Sequence, residues 1–127
     1  MKLDLEKLRQ SGRISATALA HGRKMIVPGA KLEDIQNEVE RVIREMGGSP
    51  AFPAQSSRNH IAAHYCSPPG DATTVQAGDI VKLDCGTHVD GYVTDNATTV
   101  DLRDGENSLL CAASKMALEN AIAVMGP

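Results

Sequence analysis

The sequence predicts an α+β fold in which a small antiparallel sheet carries helices on one face. The first observation is a pair of segments, residues 80–89 and 92–101, in which apolar and polar residues alternate on either side of Asp90-Gly91. That pattern is typical of a β-hairpin. The second observation is a helical spacing of apolar residues both before and after the hairpin. With one further short strand, these patterns predict the order α-α-β-β-β-α in a single domain spanning residues 1–127.

The first helix is predicted over residues 3–27. Gly12 and Gly22 weaken its pattern, because glycine lowers helix propensity. Pro28-Gly29 ends it, since a residue before proline is pushed out of the α region. Its apolar positions include Leu5, Leu8, Ala16, Leu19 and Ile26.

Residues 31–48 form the clearest helical pattern in the chain. Acidic residues occupy the first turn, where the helix dipole favours them, and Gly47-Gly48 supplies a C-terminal cap. A helix with one apolar stripe buries that stripe against a core. The stripe consists of Leu32, Ile35, Val39, Val42 and Met46.

The segment between the second helix and the hairpin is predicted as a loop with one short strand. Residues 49–71 are rich in proline and serine at both ends, a composition typical of turns. The apolar run from Ile61 to Tyr65 is the candidate strand. After the hairpin, residues 106–125 show helical spacing at Leu109, Leu110, Ala113, Met116, Ala117, Ala121 and Val124.

The register of the hairpin follows from its turn. Asp90-Gly91 is the dipeptide favoured by a two-residue type I′ turn, because both central residues need positive φ. Paired residues then have numbers that sum to 181, and alternate side chains point to opposite faces. One face carries Ile80, Lys82, Asp84, Gly86 and His88, with Val93, Asp95, Ala97, Thr99 and Asp101. The other face carries Val81, Leu83, Cys85, Val89, Val100 and Leu102.

Two carboxylates become diagonal neighbours in this register. Gly86 faces Asp95 and Asp84 faces Ala97, so the small partners leave space between the acidic side chains. Diagonal residues lie ~7–8 Å apart, near enough for two carboxylates to converge on a shared cation. Without a cation the like charges repel each other. Two alternatives remain open, because acidic residues on a strand can simply face solvent and a β-bulge would separate the two side chains.

Composition narrows the choice of partners. The formal net charge is −3, with 13 Lys and Arg against 16 Asp and Glu and no basic cluster, which argues against nucleic acid. No segment reaches the ~20 apolar residues of a membrane span, and the N-terminus alternates charge with leucine, unlike a signal peptide. We therefore expect a cytoplasmic protein that binds no membrane. Three widely spaced cysteines, Cys66, Cys85 and Cys111, are expected to be reduced and mostly buried.

Several motifs together resemble a known enzyme family. They are AAHY at residues 62–65, DCGTHVDGY at residues 84–92, and the D-x-A-x-T-V pattern at residues 95–100. In this wording and order they resemble the first half of type II methionine aminopeptidases, members of the pita-bread metallopeptidase superfamily. The resemblance covers essentially the whole chain. It implies half of a pita-bread fold, a cytoplasmic hydrolase, and peptide or nascent-chain N-termini as substrate.

The resemblance also implies roles for individual residues. Asp84 and Asp95 match the family's two metal-binding aspartates, which share a pair of divalent ions: Mn²⁺, Co²⁺, Fe²⁺ or Zn²⁺. Oxygen ligands suit such ions, and an ion pair can activate water and polarise a scissile carbonyl. His64 matches the catalytic histidine, although alone it would be interpreted as a loop histidine bonded to backbone. His88 is expected at the rim of the substrate pocket, and His21 on a helix surface.

The resemblance is incomplete in its metal ligands. In the family the second half adds a histidine and two glutamates, whereas this sequence has no histidine after His88 and only Glu106 and Glu119 after Asp95. Exposed surface that a second half normally covers favours association, so we expect a homodimer that assembles one site. Two other functions remain open, a non-catalytic peptide-binding scaffold and an inert fragment that needs a C-terminal half. The resemblance, with Asp84, Asp95 and His64 in place, favours an enzyme, although three of the family's metal ligands are absent from this sequence.

Overall fold

The computed structural model of the chain describes residues 3–126 and contains three helices and three strands in the predicted order. All three helices are close to their predicted ranges, shortened at both ends. The elements are α1 Leu5–Met25, α2 Leu32–Glu45, β1 Ser49–Arg58, β2 Ile80–Val89, β3 Tyr92–Asp101 and α3 Ser108–Val124. None of the helices within the described residues is long and apolar enough to cross a membrane.

The three strands form one antiparallel sheet in the order β1-β2-β3. The predicted hairpin register is confirmed, because β2 and β3 pair without interruption and every pair of numbers sums to 181. Asp90 and Gly91 have φ values of 50° and 84°, the conformation that a type I′ turn requires.

The predicted position of the first strand is wrong. Residues 61–65 belong to a loop, and β1 instead occupies Ser49–Arg58, in the segment that we interpreted as loop. The register of β1 against β2 shifts twice, between Pro50 and Phe52 and between Phe52 and Gln55. Such irregularities and edge positions tolerate proline, which has no N–H for the ladder. The loop lies along the outer edge of β1, where Ser56 N–H donates to Tyr65 O at 3.0 Å.

Helices α1 and α2 cover one face of the sheet, with α1 against β2 and β3 and α2 against β1. Gly22 allows the close approach of these layers, because a Cβ at that position would collide with the side chains of Val39 on α2 and Leu83 on β2. The buried apolar core is formed by Ile14, Ala18, Ile26, Leu32, Ile35, Val39, Ile43, Ala54, Val75, Val81, Leu83 and Cys85.

Helix α1 buries only part of its apolar pattern. Leu5 and Ala16 are exposed, and the buried residues are Ser11, Ile14, Ser15, Ala18 and Gly22. The serines can be buried because their hydroxyls find acceptors on β2: Ser11 Oγ donates to Thr87 O at 2.9 Å, and Ser15 Oγ to Cys85 O at 3.5 Å. Small polar residues therefore hold this helix against the sheet.

The cysteines are all free, and they differ in exposure. Cys85 is fully buried in the core, as its position on the apolar face predicts. Cys66 is exposed and Cys111 partly so, which makes the expectation of mostly buried thiols wrong for these two. Cys66 lies in a loop, and Cys111 lies on α3.

Helix α3 packs differently from the two helices on the sheet. None of its side chains is buried, although apolar residues are frequent along it. The predicted arrangement of helices on one face of the sheet is confirmed, with α1 and α2 as the helices that pack closely on it. The exposed large apolar residues of this segment are Leu109, Leu110, Met116, Leu118, Ile122, Val124 and Met125.

The outer edge of β3 pairs with no other strand of residues 3–126. Just after β3, Leu102 N–H donates to Asp79 O, and Leu102 O accepts from Gly78 N–H. Because these directions alternate along a strand, the N–H and C=O groups of even-numbered residues in β3 point toward β2. Odd-numbered groups therefore point outward. One of them is bound by a helix side chain, because Arg23 Nη1 donates to Thr99 O at 2.9 Å.

Candidate functional site

Asp84 and Asp95 come together on the sheet face that lies opposite the helices. The observed register places Gly86 against Asp95 and Ala97 against Asp84, so the two acidic residues are diagonal neighbours, as predicted. Burial raises the pKa of the Asp84 carboxyl, and the nearby negative charge of Asp95 raises it further. The two carboxylates are therefore close enough to repel each other.

One oxygen of this pair lacks a hydrogen-bond partner. Asp84 Oδ1 is buried, and no donor in the described part of the chain reaches it. A buried carboxylate oxygen without a donor is unfavourable unless a cation or another donor satisfies it. An oxygen donor set of this kind suits hard and borderline divalent ions, so the residues present fit the metal that the resemblance implies.

His64 approaches this pair from the loop that follows β1. Its charge acts to lower the pKa of Asp84, which places the imidazole near the carboxylates. The loop is held by its next residue: Tyr65 N–H donates to Ser57 Oγ at 3.2 Å, and Tyr65 O accepts from Ser56 N–H at 3.0 Å. His64 itself is exposed and has a φ of 67°, a conformation that a non-glycine residue adopts uncommonly.

The other histidines lie farther away. His88 is four residues along β2 from Asp84, or about 13 Å at the rise of an extended strand, and sits next to the turn. Gly91 N–H donates to its Nδ1 at 3.4 Å. A role of His88 at the pocket rim remains a prediction. His21 is exposed on α1, as predicted, and its Nε2 lies 2.9 Å from Glu38 Oε1.

Two neighbours of the carboxylates were missed by the sequence analysis. The ring of Phe52 covers Gly86, since a Cβ at Gly86 would collide with it, and Gly86 is the partner of Asp95. Gln55 is the register partner of Asp84, and its Oε1 is buried without a hydrogen-bond partner. Phe52 is the single phenylalanine of the chain, which is the one signal that could have drawn attention to it.

A buried ionic network holds the start of the hairpin in place. Asp79 is nearly buried and accepts from Arg58 Nε at 2.5 Å, Asn59 Nδ2 at 2.8 Å and Gln76 N–H at 2.7 Å. Burial opposes the ionisation of Asp79, but these three hydrogen bonds outweigh it, so the pKa of the carboxyl lies below its usual range. The network ties the end of β1 to the start of β2, the two strands that carry Gln55 and Asp84.

The chain supplies a limited ligand set for a metal. No third His, Cys, Asp or Glu within residues 3–126 joins Asp84 and Asp95 in a group that could hold an ion. The structure thus brings together the two predicted aspartates and places His64 near them, but at a distance that makes it no third ligand. Two carboxylates alone bind transition-metal ions weakly, because water must fill the remaining positions.

Comparison with known proteins gives a family match over nearly the whole chain. The model of metallopeptidase family M24 matches residues 6–127. Among curated relatives, the methionine aminopeptidase of Thermococcus kodakarensis is 48% identical over 120 residues, and that of Archaeoglobus fulgidus is 45% identical over 120 residues. Each alignment covers 94% of this chain and 40% of the relative, so the chain spans about 40% of the length of these proteins.

Solved structures agree with that match. The methionine aminopeptidase of Thermotoga maritima superposes with a TM-score of 0.87 at 29% identity, over 96% of this chain and 52% of that chain. Prolidase from Pyrococcus furiosus gives a TM-score of 0.66 over 79% of this chain and 31% of that one. Its identity of 20% makes it similar in fold alone.

Proposed function

The chain belongs to metallopeptidase family M24 and has half of the pita-bread fold, and from this premise we propose that it forms part of a metal-dependent aminopeptidase site. The proposed reaction is removal of methionine from the N-termini of peptides or nascent chains in the cytoplasm. The observation that carries the proposal is the convergence of Asp84 and Asp95, with a buried Asp84 oxygen that lacks a donor. Residues 1–127 act in it as one half-sized domain.

Asp84 and Asp95 are the proposed metal ligands, for two divalent ions of the group Mn²⁺, Co²⁺, Fe²⁺ and Zn²⁺. Bound ions would supply water activation and polarisation of the scissile carbonyl. The carboxylates contribute the negative charge that holds the ions, and binding would in turn relieve their mutual repulsion. Gly86 and Ala97 keep the space above the strands free of side chains.

His64 and Phe52 act on the substrate in this proposal. The exposed imidazole of His64 donates a hydrogen bond to the oxygen on which negative charge develops during hydrolysis. The ring of Phe52, next to Asp95, offers an apolar surface for the methionine side chain, because thioethers make favourable contacts with aromatic rings. His88 binds substrate farther out, at the rim.

The missing ligands come from a second copy of the chain in this proposal. A twofold axis would bring a second Asp84, Asp95 and His64 to one cleft, since a symmetric interface uses the same surface twice. Two features support association. No strand within residues 3–126 pairs with the outer edge of β3, the strand that carries Asp95, and the apolar residues of α3 are exposed. Exposed apolar surface and unpaired strand edges both favour contact with another chain.

A non-catalytic peptide-binding scaffold is the second candidate. The limited ligand set favours it, because only two carboxylates converge within residues 3–126. A scaffold would bind peptides equally well in chelator, whereas the aminopeptidase would not turn them over. A third outcome is a chain that is inert alone and becomes active with a C-terminal half from a longer relative.

Native mass spectrometry during titration with Mn²⁺ or Co²⁺ tests the proposal. We expect a dimer that carries two ions and cleaves methionine from a short peptide. Asp84→Asn should lose both ions and turnover, whereas Asp34→Asn, the same change at an exposed position on α2, should keep both. A metal-free monomer would contradict the dimeric site. Turnover restored by an added C-terminal half would then identify the third outcome, and peptide binding in chelator the scaffold.

A further inference from the structure

Gln55 is the register partner of Asp84 on the neighbouring strand β1. Their side chains therefore lie on the same face. The backbone N–H of Asn59 donates to Ile80 O between the same two strands. Every second pair of an antiparallel ladder exchanges backbone hydrogen bonds, so Gln55 and Asp84 also face each other through their backbone groups. The Cα atoms of such a pair lie about 5.5 Å apart. Asp95 flanks Asp84 from β3, so each strand contributes one oxygen-bearing side chain.

Each residue of this pair has a buried acceptor that no donor in the described part of the chain reaches. These atoms are Gln55 Oε1 and Asp84 Oδ1. Each such atom destabilises the folded chain, because it gives up its hydrogen bond to water and gains none in return. The two oxygens cannot satisfy each other, because both are hydrogen-bond acceptors, and no donor within residues 3–126 reaches either of them. Two adjacent oxygens that both need a positive partner point to one shared cation.

We infer that Gln55 supplies a third oxygen, from its side-chain amide, to the cation that Asp84 and Asp95 hold. This inference rests on the proposed function. Side-chain amide oxygens are regular ligands of hard cations but are poor ligands for zinc, which favours imidazole and thiolate. Gln55 therefore shifts the selectivity of the site toward oxygen-preferring ions such as Mn²⁺. It enlarges the ligand set of a single chain from two groups to three.

Calorimetric titration of the chelator-treated chain with Mn²⁺ and Zn²⁺ tests this role. Gln55→Leu should weaken Mn²⁺ binding by at least ~10-fold and Zn²⁺ binding less, because the amide oxygen is lost but the volume is kept. Gln55→Glu should tighten Mn²⁺ binding roughly 10-fold, since added ligand charge raises affinity in oxygen sites. Gln10→Leu, the same change at an exposed position on α1, is the matched control and should change neither affinity.

Two further measurements separate a ligand from a structural residue. The visible absorption spectrum of bound Co²⁺ should change in Gln55→Leu, because the spectrum reports the coordination sphere. The thermal midpoint in chelator should stay unchanged or rise, because a buried acceptor without a donor has been removed. An affinity for Mn²⁺ within twofold of the original in Gln55→Leu would overturn the inference.

The thermal midpoint of Gln55→Leu in chelator excludes the opposite orientation of the amide. If the Gln55 NH₂ group donated to Asp84, the Leu variant would lose that hydrogen bond and its midpoint would fall, which would also overturn the inference. Asp84→Asn distinguishes failure of the inference from failure of the proposed function. Loss of binding in Asp84→Asn with retention in Gln55→Leu removes only the inference. Retention in both variants, or an original chain that binds no Mn²⁺, removes both.

Discussion

The two faces of β2 differ in what their residues contribute. On the face covered by helices, Val81, Leu83 and Cys85 are fully buried. On the opposite face, Lys82 and Asp84 are only partly buried, and Asp84 Oδ1 accepts no hydrogen bond from the described residues. One strand thus alternates between residues that stabilise the fold and residues that form the candidate site. Changes on the two faces should therefore have separable effects.

The largest effect on stability is expected at Leu83, on the covered face. Leu83→Ala should lower the free energy of unfolding by about 2–5 kcal/mol, because it leaves a cavity between β2 and the helices. Urea denaturation in chelator measures this loss. Leu109→Ala, the same change at a residue of α3 that is 85% exposed, should cost far less. Equal losses in the two variants would show that the faces and α3 do not differ as described.

A smaller loss is expected at Gly22, where α1 meets both α2 and β2. Gly22→Ala should destabilise the protein by about 1–3 kcal/mol, because the added Cβ would collide with Val39 and would lie 2.9 Å from Leu83 Cδ2. Gly12→Ala is the control on the same helix. The nearest atom to its Cβ would be Thr94 Cγ2 at 3.9 Å, so the change should stabilise α1 by about 0.5–1 kcal/mol. Thermal unfolding of both variants would show opposite signs.

The ionic network around Asp79 should make stability sensitive to acid. Its pKa is lowered in the folded protein, so the stabilisation is fully present above the unfolded pKa and is lost as pH falls through the folded pKa. Asp79→Asn should cost ~0.5–1.5 kcal/mol at neutral pH and should reduce the acid dependence. Denaturation curves between neutral and strongly acidic pH measure both effects. An unchanged acid dependence in the variant would contradict the assignment.

The smallest effect on stability is expected at Asp84, on the open face. In chelator, Asp84→Asn should change the free energy of unfolding by no more than ~0.5 kcal/mol or should raise it, because repulsion from Asp95 is removed. The same variant should lose the Mn²⁺-dependent rise in melting temperature that we expect for the original chain. A loss of several kcal/mol in chelator would show that Asp84 stabilises the fold. Residues on both faces of β2 would then contribute to stability, contrary to the difference described above.

The parts of the molecule differ in how well sequence reasoning could describe them. The hairpin and its register could be predicted, because Asp90-Gly91 determines the turn and alternation then determines both faces. The convergence of Asp84 and Asp95 followed from that register. The strand predicted at Ile61–Tyr65 was wrong, because the prolines of β1 made residues 49–58 resemble a loop. The bulges of β1 depend on tertiary packing, which a local sequence pattern does not record.

The sequence could not place Phe52 and Gln55 beside the two aspartates for the same reason. Phe52 and Gln55 lie on either side of a register shift, so alternation along β1 cannot assign their faces. The buried serines of α1 were missed because their acceptors are carbonyls of β2, far away in the chain. A hydropathy pattern assigns serine to the exposed side, because it contains no information on hydrogen-bond partners that lie far away in the chain.

The open edge of β3 has a kinetic consequence for single amide groups. Amide hydrogens at Thr94 and Asn96 face β2, whereas those at Val93, Asp95 and Ala97 face outward. Deuterium exchange along this one strand should therefore alternate between slow and fast from residue to residue. If a second chain docks on this edge, the fast amides become slow while the others hardly change. The exchange rates of single amides along β3 therefore report whether a second chain has bound beside Asp95.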